Sequence, residues 1–311
     1  MTAADLHVAV LMATYNGAEF LPQQLDSLAA QTHANWRLWV SDDGSTDATL
    51  DILRGYQAAW GEERLRIGQG PGRGFQANFL TLSARPDLSA DYYAWSDQDD
   101  VWRPEKLARA LERLGPLGVE RPALYCGRTI YIDRLGREVG LAPLMNHSPP
   151  GFANALMQCI CGANTMVFNQ AARAHLAAQP DLAVVTHDWW AYQLVTGCGG
   201  LVFYDLEPLV RYRLHGKNLV GKNRGLFPRW KRLRKVLNGE WRRDIELQFA
   251  ALWKAARRLT PENRHRLENL TELRKHKNPF QRLRRFWRGG FCRQSELEQI
   301  AVYLAVLLGK I

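Results

Sequence analysis

The chain has 311 residues, enough to bury one large core, with 46% hydrophobic and 10% aromatic residues and a formal net charge of +10. That composition excludes a disordered, collagen-like or disulfide-scaffold protein. The charge is uneven: residues 222–311 hold 23 Lys and Arg against 8 Asp and Glu, so the preceding part is slightly acidic. No apolar run approaches the ~20 residues of a membrane-spanning helix, and the start of the chain lacks a basic, apolar, cleavable leader. Five cysteines, an odd number with only Cys159 and Cys161 close in sequence, fit neither a zinc knuckle nor a redox pair. They are expected to be reduced and mostly buried thiols of a cytoplasmic protein.

His7 to Met12 is a short apolar run that ends in Ala13-Thr14-Tyr15-Asn16-Gly17, a buried strand delivering a loop. Helical spacing follows from Glu19 to Gln31. A second strand, Trp36 to Val40, runs into Ser41-Asp42-Asp43-Gly44-Ser45, and a second helix covers Thr46 to Trp60. Arg64 to Ile67, the helical stretch Phe75 to Leu82 and the strand Tyr92 to Trp95 continue the alternation. Strands alternating with helices predict a mostly parallel, Rossmann-like sheet with helices on both faces, and ligands at the carboxyl ends of its strands. The loops 13–17, 41–47, 70–75 and 96–102 fall there together. Further on, Ala123 to Cys126 and Thr129 to Ile132 read as two strands of a hairpin-like unit. Leu201 to Tyr204 and Leu209 to Tyr212 read as two later strands. From residue 222 onward the pattern changes to basic helices with Trp230, Trp241, Trp253 and Trp287. The expected division is therefore 1–221, an α/β body carrying the loops above, and 222–311, a basic helical extension.

The most informative stretch is Ser96-Asp97-Gln98-Asp99-Asp100-Val101-Trp102. Three carboxylates within four residues at a strand end repel one another unless a cation lies between them. Asp97 and Asp99 are spaced to reach one divalent ion, and oxygen ligands suit Mg2+ or Mn2+, which in turn bind phosphates. A solvated turn before the helix near Pro104 is the plainer alternative. In Asp42 to Asp47, Asp43 is placed to accept a hydrogen bond from a nucleobase while Ser45 or Asp47 caps the following helix. Tyr15 offers a face for that base or for core packing. Gly70-Pro71-Gly72-Arg73-Gly74 lacks the spacing of a phosphate loop, though Arg73 can pair with a phosphate.

His187-Asp188-Trp189-Trp190 sets an aspartate beside two large aromatics. Partial desolvation there would strengthen Asp188 as a base, and a tryptophan face suits the C–H face of a sugar. Within the helix 186–196, Trp190 is expected in the core. Arg211 to Asn218 gathers three cations and His215, suited to a leaving diphosphate or to a further metal ligand. In the tail, Arg282 to Arg288 mixes cations and aromatics, which favours an anionic membrane surface. Nucleic acid is the rival partner, and packing on the body is a third possibility.

Taken together, Ala13 to Gly17, Ser41 to Asp47, Ser96 to Trp102, His187 to Trp190 and Tyr212 to Gly221, in this order across about residues 7–221, resemble family 2 glycosyltransferases of the A-type nucleotide-sugar fold. The likeness is strongest to the bacterial rhamnosyltransferase-like branch. It implies inverting sugar transfer from a nucleoside diphosphate donor (dTDP- or UDP-linked, with rhamnose favoured) to a saccharide acceptor, lipid-linked or free, of a bacterial surface polysaccharide. Ala13, Tyr15, Asp43, Arg73, Asn78, Asp97 and Arg213 would then contact the donor, and Asp97, Asp99 and His215 the metal. Asp188 would be the general base, with His187 and Trp189 near the acceptor. No nucleic acid partner is implied, and the enzyme would be cytoplasmic or peripheral on the inner membrane face. Two positions depart from the family pattern: Gly72 stands where Asn is frequent, and Leu214 interrupts an otherwise polar Tyr-Arg-Gln-His run. A nucleotidyltransferase, or a non-catalytic membrane- or RNA-associated adaptor, are the competing readings.

Overall fold

The computed structural model describes residues 5–145, 148–215 and 240–310. Asn218, Gly221 and Trp230, named above, lie outside the described residues. Four parallel strands, β1 (Val8–Thr14), β2 (Trp36–Asp42), β3 (Leu65–Gln69) and β4 (Tyr92–Ser96), lie in the order β3-β2-β1-β4. They are linked by α1 (Leu21–Ala29), α2 (Thr49–Trp60) and α3 (Phe75–Ser83). Every residue of β1 from Val8 to Met12 is fully buried, as the apolar run requires of a central strand covered on both faces. Its alternation divides the core. Ala9 and Leu11 join Tyr93 and Trp95 in one apolar cluster, and Val8, Val10 and Met12 join Tyr92 and Ala94 in the other.

Beyond β4 the sheet continues through β8 (Val167–Asn169), β6 (Ala123–Ile132) and β9 (Leu201–Arg213) to the two-residue β5 (Val101–Trp102). β8 is antiparallel to both β4 and β6, whereas β9 runs parallel to β6. Two expectations are corrected here. The segments 123–126 and 129–132 form one strand, not two, and its hairpin partner is β7 (Glu138–Leu141) across the turn at Gly136. Likewise 201–204 and 209–212 are one long strand. The apparent gaps coincide: pairing jumps from Gly127 with Asp205 to Thr129 with Val210, so β9 bulges away from β6 at this point. Glycine suits position 127, because a Cβ would lie 3.2 Å from the Asp205 carbonyl oxygen, closer than ordinary contact.

Helices α4 (Lys106–Leu114), α5 (Phe152–Ala155), α6 (Gln170–Ala177) and α7 (His187–Gly197) complete the body. The C-terminal helices α8 (Glu240–Lys254), α9 (Pro261–Lys275), α10 (Pro279–Arg288) and α11 (Glu296–Leu307) share a core with it. Ile245, Phe249, Leu252, Leu267, Phe286 and Val306 are buried in the same cluster as Trp190 and Leu194 of α7. Polar contacts add register. Gln248 bridges Gln193 (2.6 Å) and the Val185 amide (3.1 Å), and the Asn263 amide donates to the carbonyls of Thr196 and Gly197. Leu252→Ala opens a cavity where these helices meet the body. It is expected to lower stability by ~2–5 kcal/mol in urea unfolding, and unfolding is expected to stay a single transition. Two separated transitions would show that the tail folds by itself.

Candidate active site

The four loops at the carboxyl ends of β1 to β4 converge on one cavity of about 1450 Å³. They are tied together by side chains reading backbone atoms. Asp43 accepts from the amides of Gly72 and Gly74 (both 2.8 Å), which holds the glycine-rich loop against β2. Gly70 is required by this contact, since a Cβ would come within 2.5 Å of Asp43 Oδ1. One lone pair on each Asp43 oxygen is left for a ligand N–H. Asp47 accepts from the amides of Thr49 and Ala18, joining the helix start to the first loop. Gln98 clasps Tyr15 from both sides: its Oε1 accepts from the Tyr15 amide (2.9 Å) and its Nε2 donates to the Tyr15 carbonyl (3.0 Å). A Cβ at Gly17 would collide with that amide group. Tyr15 itself remains exposed on the cavity wall beside Ala13 and Asn16.

The acidic turn follows β4. Asp97 and Asp99 line the cavity, while Asp100 is fully buried beneath them. Burial first, then the charges of Asp99 and Asp188, push the Asp97 carboxyl up to about 7. Burial and the Asp99 and Asp97 charges push Asp100 well above its ordinary range. Asp100 is held by Asn164 Nδ2 (2.5 Å) and by the Arg213 amide (3.1 Å). Behind the turn lies Lys106, fully buried, its Nζ 3.2 Å from the centre of the Trp102 ring; burial lowers its pKa well below the ordinary value.

Asp188 sits in the first turn of α7 and lines the same cavity. Its Oδ1 accepts from the Trp189 amide (2.7 Å), so the helix terminus fixes the carboxylate. Oδ2 has no hydrogen-bond partner among the described residues. His187 is buried in an aromatic cage, stacked on Phe79 at 4.5 Å with Trp95 and Phe75 edge-on. Burial lowers its pKa to about 4, and neither ring nitrogen has a partner among the described residues although the residue lines the cavity. Asn78, which also lines the cavity, donates to the Ser41 carbonyl (2.8 Å) and has a buried Oδ1 with no partner among the described residues.

Three expected contacts take other places. Arg213 is fully buried and does not line the cavity. Its guanidinium donates to the carbonyls of Asp99, Asp133 and Arg134 and to Gln23, and lies over the Phe20 ring. It shapes the acidic turn from behind, because a planar five-donor fork is matched by this set of carbonyls. Trp189 is buried with its indole donating to the Ala155 carbonyl (2.7 Å), so its ring packs on α5 and not on the cavity wall. Arg73 is exposed and ion-paired to Asp181 at 2.6 Å, outside the wall that its neighbours Gly72 and Gly74 form. His215 does reach the site: its Nε2 lies 2.7 Å from Asp99 Oδ2 and its ring stacks on Phe20.

Other wall residues carried no signal of their own in the sequence. Gln98 stood between acids that drew the attention. Arg128 faces the cavity at the β6–β9 bulge, where its Nε donates to the Ala142 carbonyl (2.6 Å). Asn164, Cys159 and Cys161 come from the segment before β8, whose small polar run Gly162 to Thr165 was the one hint of a loop. All five cysteines are free, as expected, with Cys126 and Cys161 buried in contact.

Among the described residues no three His, Cys, Asp or Glu side chains surround one point as a closed metal cage. The donor set suits Mg2+ or Mn2+ nonetheless. These ions take one or two carboxylates plus substrate phosphates, and the cost of a charged Asp97, set first by burial and then by the Asp99 and Asp188 charges, is one that such an ion would lower.

A parallel sheet whose strand order reverses at β1, with nucleotide-sized space and clustered acids at its carboxyl edge, is the architecture of A-type nucleotide-sugar transferases. The family model for glycosyl transferase family 2 matches residues 9–172, more than half of the chain, and the chain belongs to that family. It is similar to the dTDP-rhamnosyl transferase RfbG of Shigella flexneri, 28% identical over 244 residues, covering 75% of this chain and 82% of that protein. Among solved structures, S. aureus TarS (residues 1–349) matches 67% of this chain and 60% of its own length at 17% identity and TM-score 0.51. The mannosyltransferase PcManGT from Pyrobaculum calidifontis, in complex with GDP-Man and Mn2+, matches 98% and 86% at 16% identity and TM-score 0.56. The chain is a glycosyltransferase of the A-type fold, which removes the nucleotidyltransferase and adaptor readings.

Two outcomes are expected from this geometry. An unfolded chain releases the Asp97 proton near pH 3.8, whereas the folded chain holds it up to about pH 7. The cation-free fold therefore loses stability as pH rises through that window. A divalent ion displaces the proton, so Mn2+ should bind about tenfold more weakly at pH 6 than at pH 8 and raise the melting temperature less. Equal thermal shifts at both values would detach Asp97 from the ion. Arg213→Met should cost ~3–5 kcal/mol in urea unfolding, because it strands buried acceptors. Native stability with a raised KM for the donor would return Arg213 to the donor pocket.

Proposed function

We propose that this glycosyltransferase is inverting and divalent-cation-dependent. It moves a sugar, with rhamnose favoured, from a dTDP- or UDP-linked donor to a saccharide acceptor in bacterial surface polysaccharide synthesis. The observation that carries the reading is the placement of Asp97, Asp99 and Asp188 on one wall system, with Asp97 feeling the charge of both others. The likeness to a dTDP-rhamnosyl transferase supports the donor, and the Mn2+ in the PcManGT complex supports the ion.

In this reading Tyr15 stacks on the nucleobase, Asp43 accepts from a base N–H, and Asn78 Oδ1 gains the partner that it lacks. His187 stays neutral at physiological pH, so it can donate from one ring nitrogen and accept at the other without adding charge. With its indole buried, Trp189 positions α7 and leaves the acceptor to His187 and Asp188. Asp97 and Asp99 would hold the Mg2+ or Mn2+, which when bound supplies positive charge at the diphosphate oxygens. His215 fixes the Asp99 carboxylate from one side and leaves Oδ1 toward the ion. Asp188 takes the proton of the acceptor hydroxyl through its unpartnered Oδ2 while that oxygen attacks the anomeric carbon. The bond from this carbon to the diphosphate oxygen breaks with its electron pair on the leaving group. Attack and departure occur on opposite faces of the sugar, so configuration inverts.

Asp188→Asn keeps the shape and the hydrogen bond from the Trp189 amide but removes the base. Donor-dependent turnover is expected to fall ~10²–10⁴-fold with nucleotide affinity retained. In Asp99→Asn the loss should include cation-dependent nucleotide binding. Near-native turnover of either variant would remove that residue from the chemistry.

A further inference from the structure

The tail carries an apolar face that the fold leaves uncovered. Helix α11 is apolar on two sides. Val302, Ala305 and Val306 are buried against the body, while Leu297, Ile300, Leu304 and Leu308 are each more than half exposed. At 3.6 residues per turn these four fall within an arc of about 80°, one continuous stripe along the helix. Helix α10 repeats the arrangement. Phe286 is buried, whereas Phe280 and Trp287, seven residues apart and so on one face, are about three-quarters exposed.

The two helices form an antiparallel hairpin. Arg282 Nη2 donates to the Leu307 carbonyl (2.6 Å), and the Phe286 and Tyr303 rings meet edge to face. Phe280 therefore lies at the Leu308 end and Trp287 toward Leu297 and Ile300. The hairpin is fixed to the body by Arg293 donating to the Met157 carbonyl (2.9 Å) and Asn154 to the Cys292 carbonyl (2.9 Å). Its exposed face is thus a rigid surface.

The charge around the stripe selects the occupant. α10 contains Arg282, Arg284, Arg285 and Arg288 and no acid. Arg284 and Arg288 are exposed beside Phe280 and Trp287; of the two acids of α11, Glu298 is turned to Arg293 and the exposed Glu296 stands at the helix start, so the cations around the face outnumber its acids. Six large apolar side chains flanked by exposed guanidinium groups match the boundary of a bilayer, where rings and leucines enter the acyl edge and cations meet phosphates. Among the described residues no helix is long and apolar enough to cross a membrane, so the match is to a surface. We propose that the α10–α11 hairpin docks the enzyme on an anionic phospholipid membrane, through Phe280, Trp287, Leu297, Ile300, Leu304 and Leu308 with Arg284 and Arg288. This holds whatever the cavity turns over.

The test is co-sedimentation of the full chain with vesicles of phosphatidylcholine alone or mixed with phosphatidylglycerol, at low and high salt. The wild type should sediment with the anionic vesicles, less so at high salt. Arg284→Gln and Arg288→Gln should each weaken binding about fivefold, and Leu304→Glu or the pair Phe280→Ala and Trp287→Ala should abolish it. These side chains are exposed, so circular dichroism and melting temperature should stay native. Should Leu304→Glu misfold, the two arginine variants decide alone. Absence of binding to anionic vesicles at low salt, or undiminished binding by the variants, overturns the proposal. So does a dimer that Leu304→Glu dissolves while wild-type vesicle binding is missing, which would give the face to a second copy of the chain.

Discussion

Repulsion among carboxylates at the end of β4 is the constraint around which the site is built. Asp97, Asp99, Asp100 and, from α7, Asp188 are brought together in partly dehydrated surroundings, where like charges are costly. The fold relieves only part of that cost. Asn164 and the Arg213 amide hold Asp100, and the Arg213 side chain fixes the carbonyls of the turn from behind. What remains is directed at the cavity through Asp97, as an unmet demand for positive charge. A site in this state favours whatever brings positive charge.

The loops that surround this charge are short and mutually braced. Asp43, Asp47 and Gln98 each turn a side chain into a backbone partner for a neighbouring loop. A loop edge organised this way loses little entropy when a ligand arrives, because the order is already in place. His187 and Asn78 are the complement: buried polar groups with open hydrogen-bonding capacity. In a finished core such atoms are destabilising, and beside a cavity they are groups that a ligand can satisfy.

The C-terminal helices join these features to a surface. α8 and α9 complete the apolar cluster behind α7, so the helix that carries Asp188 is supported from both sides. α10 and α11 extend from that support and present the cationic and apolar face. Placing α7 and the outward face on one packed unit ties the orientation of the cavity to whatever the hairpin touches.

Much of this was legible in the sequence. The alternation of apolar strands and amphipathic helices up to residue 96, the loops at one sheet edge, and the paired acids at 97 and 99 are local patterns, because strand period, helix period and charge spacing are written residue by residue. The motif at 187–190 likewise marked Asp188 and put Trp190 in the core. Contacts between residues far apart in the chain were not legible. The merging of 123–132 and 201–213 into single strands depended on a shared bulge that neither segment shows alone. The burial of Arg213 and Trp189 depended on which carbonyls the fold set beside them, and the clasp of Gln98 on Tyr15 joins positions 83 residues apart. Sequence determined the elements and the kinds of chemistry. Tertiary structure decided which side chains face the cavity and which sit behind it, since a guanidinium or an indole goes where its donors are matched, and that matching exists only after the chain has folded.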